Sequence, residues 1–491
     1  METSDRARPS PYRHRRWLAP LAAVVALATA TTLYGMGSAQ AATTTLTVGT
    51  TQGPALHDDF IGLSFEAAIV AQPALSNGNL AQYMKTLGPG VARFGGNFVD
   101  TTFWTSKGEK APSWAVTTLT PGDLKRLKTL STDSGWKVIL GVNLKHRDPA
   151  RAADEAKFAQ QILGSSLMAI EIGNEPNYYP NYSPSKLYSD YQAYRAAIAK
   201  TAPGVGLVAP ETGSAPAAVT YLQDFAKAER AKPDLFALTT HFYPACAKSG
   251  HVSISDLLSQ GFHDKIQTRA DILVNAAKPL HVPAIMDEAN SVSCEGQDGT
   301  SDVYASALWA VDDELMIAHT GIRGEYFHSA IAKCGAPKPF YKAYTPFCAA
   351  TDADAAAGRL IPHPEYYGLL MLQQVGTGNF VPLSNPDPAT LRAYAVKNGS
   401  RLRLVLDNLT DPKATGSRTV TIKLDGTYTK GDLLRLSASA LTAKTGITLG
   451  GATVKSDGTF PGTTKTTITV SGSTLTLSIP AGTATLVTLN P

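Results

Sequence analysis

The sequence predicts an α/β protein, a (β/α)8 TIM barrel followed by a C-terminal antiparallel β-sandwich domain. Eight short apolar runs lie between residues 56 and 378, amphipathic stretches separate them, and helical periodicity gives way after about residue 380 to short alternating runs. Continuous apolar runs suit parallel strands buried on both faces. Eight such units in roughly 300 residues suit a closed barrel better than an open sheet, whose strands have no reason to number eight. At 491 residues, with 43% hydrophobic and 17% charged, the chain is large enough for several domains and too apolar for disorder.

The first element is an address. Arg13, Arg15 and Arg16 precede the apolar stretch Leu18–Leu33, and Ser38-Ala39-Gln40-Ala41 offers a small-residue cleavage site. That order is the pattern of a secretory signal peptide, so residues 1–41 are read as a leader and the chain as secreted. The formal net charge of +4 is mostly this leader, which holds five of the bases and two of the acids. The remainder is nearly neutral and carries no electrostatic footprint for nucleic acid. No later stretch is long and apolar enough for a membrane span.

Residues 42–55 contain a strand pattern at Thr43–Val48, expected to pair with the C-terminal sheet. The barrel, residues 56–378, places its strands at Phe60–Phe65, Val91–Phe94, Val138–Leu144, Leu167–Ile172, Gly206–Ala209, Leu235–Phe242, Pro283–Met286 and Gly321–Phe327. Helical patterns include Pro121–Ser134, Ala150–Leu163, Pro184–Lys200 and Asp302–His319. From residue 379 to 491 the alternation in Arg401–Leu406 and Thr474–Ile479, with turns at Asp425-Gly426 and Asp457-Gly458, predicts the sandwich. We expect this domain to brace the barrel, since four of the five tryptophans (Trp104, Trp114, Trp136, Trp309) fall in the barrel and only Tyr428 or Phe460 offers the tail a stacking surface.

Four cysteines in an exported chain suggest two disulfides, of three possible connectivities. Cys246 and Cys294 follow adjacent strands six and seven, so they are paired. Cys334 with Cys348 would brace the loop after strand eight.

Barrel active sites are built at the C-terminal ends of the strands. Two glutamates stand there, Glu175 after strand four and Glu288 after strand seven. These strands lie three apart around the ring, so their tips face each other across the mouth. A facing carboxyl pair is the equipment of glycoside hydrolysis: one protonates the leaving oxygen, the other attacks or activates water, and a separation of about 5 Å gives the retaining, covalent route. Asn174 beside the acid suits a sugar hydroxyl, and Tyr243 at the end of strand six suits a donor to Glu288. His241 and His328 end strands six and eight. Metal-site spacing, a GxSxG elbow and a phosphate loop after a strand are all missing from the sequence, so neither metal nor cofactor is invoked.

Three segments, Val91-Ala92-Arg93-Phe94-Gly95-Gly96-Asn97-Phe98-Val99-Asp100, Ile172-Gly173-Asn174-Glu175-Pro176-Asn177 and Asp287-Glu288-Ala289-Asn290-Ser291, resemble glycoside hydrolase family 79. The tail resembles that family's β-domain at Gly446–Val454 and Asp457–Phe460. The resemblance implies a retaining β-glucuronidase or heparanase-like enzyme of clan A, with Glu175 as acid/base and Glu288 as nucleophile. It further implies Asn174 and Tyr243 as their supports, and Asp100, Ser64 and Asn97 as sugar contacts. The family holds the uronate carboxylate through the loop after strand eight, here Ser329–Thr345 with Lys333, Lys338, Tyr341, Lys342 and Tyr344. Gly324–Ser329 and the cysteine-bearing insertion depart from the fungal pattern.

The expected function is thus a secreted, monomeric exo-β-glucuronidase acting on a glucuronide or uronic-acid-containing glycan. The alternatives are another clan A enzyme of β-glucosidase or β-xylosidase type and an endo-acting heparanase-like enzyme. A catalytically silent carbohydrate-binding protein is the reading from another class.

Overall fold

The computed structural model describes residues 43–231, 234–336, 342–413 and 416–491; the leader, Lys338 and Tyr341 lie outside them. Strands β1 (Ile61–Glu66), β2 (Val91–Gly95), β3 (Lys137–Val142), β4 (Leu167–Ile172), β5 (Leu207–Thr212), β6 (Ala237–Phe242), β7 (Ala284–Ala289) and β8 (Gly324–His328) form a closed parallel barrel in chain order. β8 closes on β1 with Glu325 opposite Ile61 and His328 opposite Ser64. The crossover helices include Pro121–Ser134, Pro149–Leu163 and Pro184–Thr201, each opening on a proline whose missing N–H costs a first turn nothing. Asp148 and Ser183 cap two of them by accepting the N–H of Arg151 and Lys186.

The barrel interior is layered, and the layers follow from the two-residue period of a strand. Val91, Ile139, Ala169, Val208, Ala237, Ile285 and Tyr326 form one buried apolar cluster across seven strands. Two residues further along β2, β4, β7 and β8, the same inward face carries Arg93, Glu171, Asp287 and His328, all buried. The apolar layer is the floor and the polar layer above it is the base of the mouth. Gly62 makes room below, where a Cβ would lie 1.8 Å from the Tyr326 ring.

The tail forms a ten-stranded sheet. Its long strand Ser417–Ser437 pairs first with Thr43–Thr47, in parallel, and further along with Thr483–Asn490, antiparallel. The sheet is therefore not wholly antiparallel. The N-terminal strand enters the β-domain beside the start of that long strand. Leu46, Val420 and Ile422 share one buried core with Leu404, Leu406, Val487 and Leu489. Ala55–Leu56 and Gly378–Phe380 also belong to this sheet, so the barrel begins and ends slightly inside the bounds expected from sequence. Tyr428 is buried with its hydroxyl on Asp425 and Phe460 packs against the core, which removes both as stacking platforms.

The two domains share a contiguous core along helix Tyr304–Thr320. The Tyr304 hydroxyl donates to the carbonyls of Leu436 and Gly482 at 2.9 Å each. Asp312 accepts from Arg392 Nε at 2.9 Å and from the Tyr394 hydroxyl at 2.5 Å. A barrel helix buried on all sides cannot face water alone, so the β-domain completes its burial. The same region buries Asp313, Glu314, Glu325 and Glu365 without a matching cation. Asp313 Oδ1, both oxygens of Glu314 and of Glu325, and Glu365 Oε1 find no hydrogen-bond partner among the described residues. Burial first, then mutual repulsion, holds these four carboxyls well above the ordinary carboxylate range.

A carboxyl raised in the folded state contributes its stability below its unfolded value near 4.5 and loses it as pH climbs toward the folded value. Stability is expected to fall by about 1.4 kcal/mol per pH unit per such group across that window. Glu325→Gln, which cannot ionise, should show a shallower fall in melting temperature between mildly acidic and mildly alkaline buffer.

Candidate active site

The mouth is organised around one arginine that the sequence reading quoted but did not select. Arg93, at the middle of β2, has 0% exposed surface and uses all five of its N–H donors. Nε donates to Glu171 Oε2 at 2.6 Å, and Nη2 to Glu171 Oε1 at 2.7 Å and Asn174 Oδ1 at 3.0 Å. Nη1 donates to Ser64 Oγ at 2.9 Å and to Glu288 Oε2 at 2.6 Å. Gly95 leaves space for this pair, since a Cβ there would lie 2.4 Å from Glu171 Oε1.

Glu288, buried at the end of β7, has both oxygens engaged. Besides Arg93, it accepts the Tyr243 hydroxyl on Oε1 at 2.9 Å, and His328 Nδ1 and His241 Nδ1 lie 3.6 and 3.9 Å from Oε2. Burial alone would push its carboxyl up. The two histidines and the Arg93 guanidinium outweigh that and hold it far below the ordinary range. Glu288 is therefore a carboxylate with its orientation fixed from two sides.

Glu175 is placed differently. It stands just beyond β4 in the left-handed backbone region, φ 47°, which turns its side chain into the mouth. Its carboxyl meets His241 Nδ1 at 3.3 Å and keeps 17% of the side-chain surface accessible. His241 thus touches both glutamates through one ring nitrogen, which brings together carboxyls from strands four and seven. Burial and Arg93 oppose a charged His241, but Glu288, Glu175 and Glu211 prevail and hold its pKa well above the usual histidine value.

The other sequence candidates fall around this pair. Asn174 is held by Arg93 and reaches Asn97 through Nδ2 at 3.4 Å; Asn97 is solvent-exposed. Ser64 bonds His328 Nδ1 at 3.1 Å. Asp100 accepts the Tyr179 hydroxyl at 2.5 Å and lies 3.5 Å from Lys145 Nζ; burial outweighs both and pushes its carboxyl up to about 6. Tyr344 is buried against Tyr243 and His328, with ring centroids 5.9 and 6.3 Å away. Lys342 sits nearly buried at the same rim, 3.4 Å from Glu66 Oε1, whereas Lys333 pairs with Asp352 on the surface. Tyr341 lies outside the described residues. Cys246–Cys294 and Cys334–Cys348 are both bridged, the first joining the segments after β6 and β7, the second clasping the loop that carries Lys342 and Tyr344.

Besides Arg93, the sequence reading missed Glu66, Glu171, Glu211, Asp287 and Tyr179. Glu171 had a signal, a lone carboxylate inside an apolar strand run. Glu211 lies beyond Pro210, where the apolar run Gly206–Ala209 stops although the strand continues to Thr212. Glu211, His241 and Asp287 form the single group among the described residues with metal-ligand geometry, their ligand atoms lying within 4.8 Å of one another. Drawn from three strands, it has no sequence spacing to detect. Arg93 Nη2 already stands 3.1 Å from His241 Nε2 and 3.9 Å from Glu211 Oε2, which supplies the positive charge there.

Comparison with known proteins gives a consistent set of relatives. Residues 393–486 match the glycosyl hydrolase family 79 C-terminal beta domain. A stretch of 205 residues, 37% of this chain, is 28% identical to a beta-glucuronidase of Neurospora crassa and spans 34% of that protein. The fold matches a 4-O-α-L-rhamnosyl-β-D-glucuronidase from Fusarium oxysporum 12S, with TM-score 0.74 and 22% identity over 91% of this chain and 100% of that one. It also matches a GH51 arabinofuranosidase from Xanthomonas axonopodis pv. citri, with TM-score 0.67 and 14% identity over 92% of this chain and 100% of that one.

Removing the guanidinium strands Glu171 and Glu288 as buried, uncompensated carboxylates. Arg93→Met is expected to lower stability by about 3–5 kcal/mol, read as a shift of the urea midpoint.

Proposed function

We propose that this chain, a member of glycoside hydrolase family 79, is a retaining exo-β-glucuronidase. The observation that carries this reading is the asymmetry of the two glutamates. Glu288 is held ionised and aimed by Arg93 and Tyr243, while Glu175 stands opposite, partly open, with its carboxyl on His241. Two carboxyls kept in different environments are what a double displacement needs.

In the first step Glu288 forms a bond to the anomeric carbon as the bond to the aglycone oxygen breaks, and the proton of Glu175 passes to that leaving oxygen. In the second, Glu175 takes a proton from water as the water oxygen bonds the anomeric carbon and Glu288 is released. Two inversions leave the anomeric configuration retained. His241 and Arg93 spread positive charge around Glu288 without competing with its attack on carbon.

For the sugar, Lys342 supports a uronate. Among the described residues of the loop after β8 it is the buried cation, 3.4 Å from Glu66 Oε1, and its charge is reinforced by Tyr344, Glu66 and Glu288 against burial. A charge-assisted bond to a substrate carboxylate contributes about 1.5–3 kcal/mol. Asp100 beside Glu175 suits a sugar hydroxyl as a carboxylate acceptor. The working enzyme is read as exported and monomeric, released from residues 1–41. The leader pattern and the two disulfides support export. Among the described residues no helix is long and apolar enough to cross a membrane.

A panel of aryl β-glucuronide, β-glucoside and β-xyloside tests the reading directly. Glucuronide turnover should dominate, Lys342→Met should lower glucuronide kcat/KM by about 10–100-fold, and Glu288→Gln should abolish turnover. Preference for the glucoside or xyloside would move the chain to another activity in the clan, and a Glu288→Gln enzyme with full turnover would leave only a binding role. As pH drops through about 6, kcat/KM should fall as Asp100 is protonated, and Asp100→Asn should flatten that limb.

A further inference from the structure

Glu211 belongs to no motif and lies near the end of β5 with no accessible surface. Its contacts nevertheless all lead to Glu175. Oε2 lies 3.2 Å from His241 Nε2, and the opposite ring nitrogen, Nδ1, lies 3.3 Å from Glu175 Oε1. The Glu211 backbone carbonyl accepts the N–H of Glu175 at 2.8 Å. Both glutamates sit in the left-handed region, at φ 56° and 47°, so two strained turns are tied to each other. Oε1 of Glu211 accepts the Thr239 hydroxyl, which closes the remaining side.

This line carries the orientation of Glu175. Among the described residues, His241 is the only side chain hydrogen-bonded to its carboxyl, whereas Glu288 has two strong partners of its own. Arg93 Nη2 also stands 3.1 Å from His241 Nε2, but its two N–H groups are matched by Glu171 and Asn174, which leaves Glu211 as the carboxylate that accepts from Nε2. Each hydrogen-bonded line, Glu211 to Nε2 and Nδ1 to Glu175, holds one proton, whichever atom bears it. Rotation of the imidazole would break both at once.

We propose that Glu211 is a positioning residue for the acid/base: it locks His241, and through the ring and its own carbonyl it sets the Glu175 carboxyl toward the glycosidic oxygen. The proposal rests on Glu175 being the proton donor, as in the function read above. It predicts a specific kinetic signature. Protonation by Glu175 matters most for a poor leaving group and little for an activated phenol, while attack by Glu288 is needed for both.

The test compares full-length wild type, Glu211→Gln and Thr239→Val on aryl β-glucuronides running from 2,4-dinitrophenyl to phenyl. Glu211→Gln should lose at least about tenfold more kcat/KM on the phenyl than on the dinitrophenyl substrate, which steepens the leaving-group dependence. With the dinitrophenyl substrate, azide, which needs no base, should raise kcat and yield the β-glucuronyl azide. Thr239→Val keeps the carboxylate and nearly the same side-chain shape, so it should fold as wild type and steepen the dependence in the same direction by a smaller factor. An equal loss across the series, or an unchanged slope in Thr239→Val, overturns the positioning role. If wild type hydrolyses no aryl glucuronide and the panel above identifies another sugar, the glucuronidase reading fails, and the same series made with that sugar still decides the role of Glu211.

Discussion

A single buried guanidinium sets the terms for the rest of the mouth. Taking a cation and several carboxylates out of water costs several kcal/mol per ion unless geometry and hydrogen bonding compensate. At Arg93 the compensation is complete, since every N–H has an acceptor and the acceptors come from β1, from β4 and the turn after it, and from β7. The arrangement leaves little tolerance. A one-residue slip of any of these strands would turn its polar side chain outward and leave Arg93 short of a partner. The register of the barrel and the aim of Glu288 are consequently the same constraint.

From that constraint follows the difference in setting between the two glutamates. Glu288 lies next to Arg93 and between two histidines, a setting that favours charge. Among the described residues Glu175 has His241 as its one side-chain hydrogen-bond partner, and part of its side chain stays open to the mouth. The floor beneath is apolar and tightly packed around Tyr326, so the polar layer cannot relax downward. Rigid support of this kind holds the two carboxyls within the small tolerance that the proposed chemistry demands.

The β-domain contributes from the opposite side. It covers the barrel helix Tyr304–Thr320 and fastens it through Tyr304 and Asp312, far from the strand tips that form the mouth. Its cost is visible in the uncompensated carboxyls Asp313, Glu314 and Glu325 on and beneath that helix. The domain thus bears on stability and its pH dependence, and the second disulfide ties down the loop that carries Lys342 and Tyr344.

Barrel, tail domain and the placing of Glu175 and Glu288 at the mouth were legible in the sequence because each leaves a local trace. Parallel strands read as apolar runs, antiparallel ones as alternation, and Glu175 and Glu288 stand at the strand ends where barrel chemistry is found. Even the Cys246–Cys294 bridge followed from the strand map. Arg93, Glu171 and Asp287 were harder, being charged residues within or at the end of apolar runs whose partners are remote in sequence. Glu211 had no trace at all, since Pro210 obscured its strand. What the sequence by itself determined is which residues face inward at the strand tips, a matter of local period and polarity. Only the tertiary structure decided how they pair, that Arg93 spends its five donors on four residues and that His241 joins Glu211 to Glu175, because closing the barrel is what brings those residues within bonding distance.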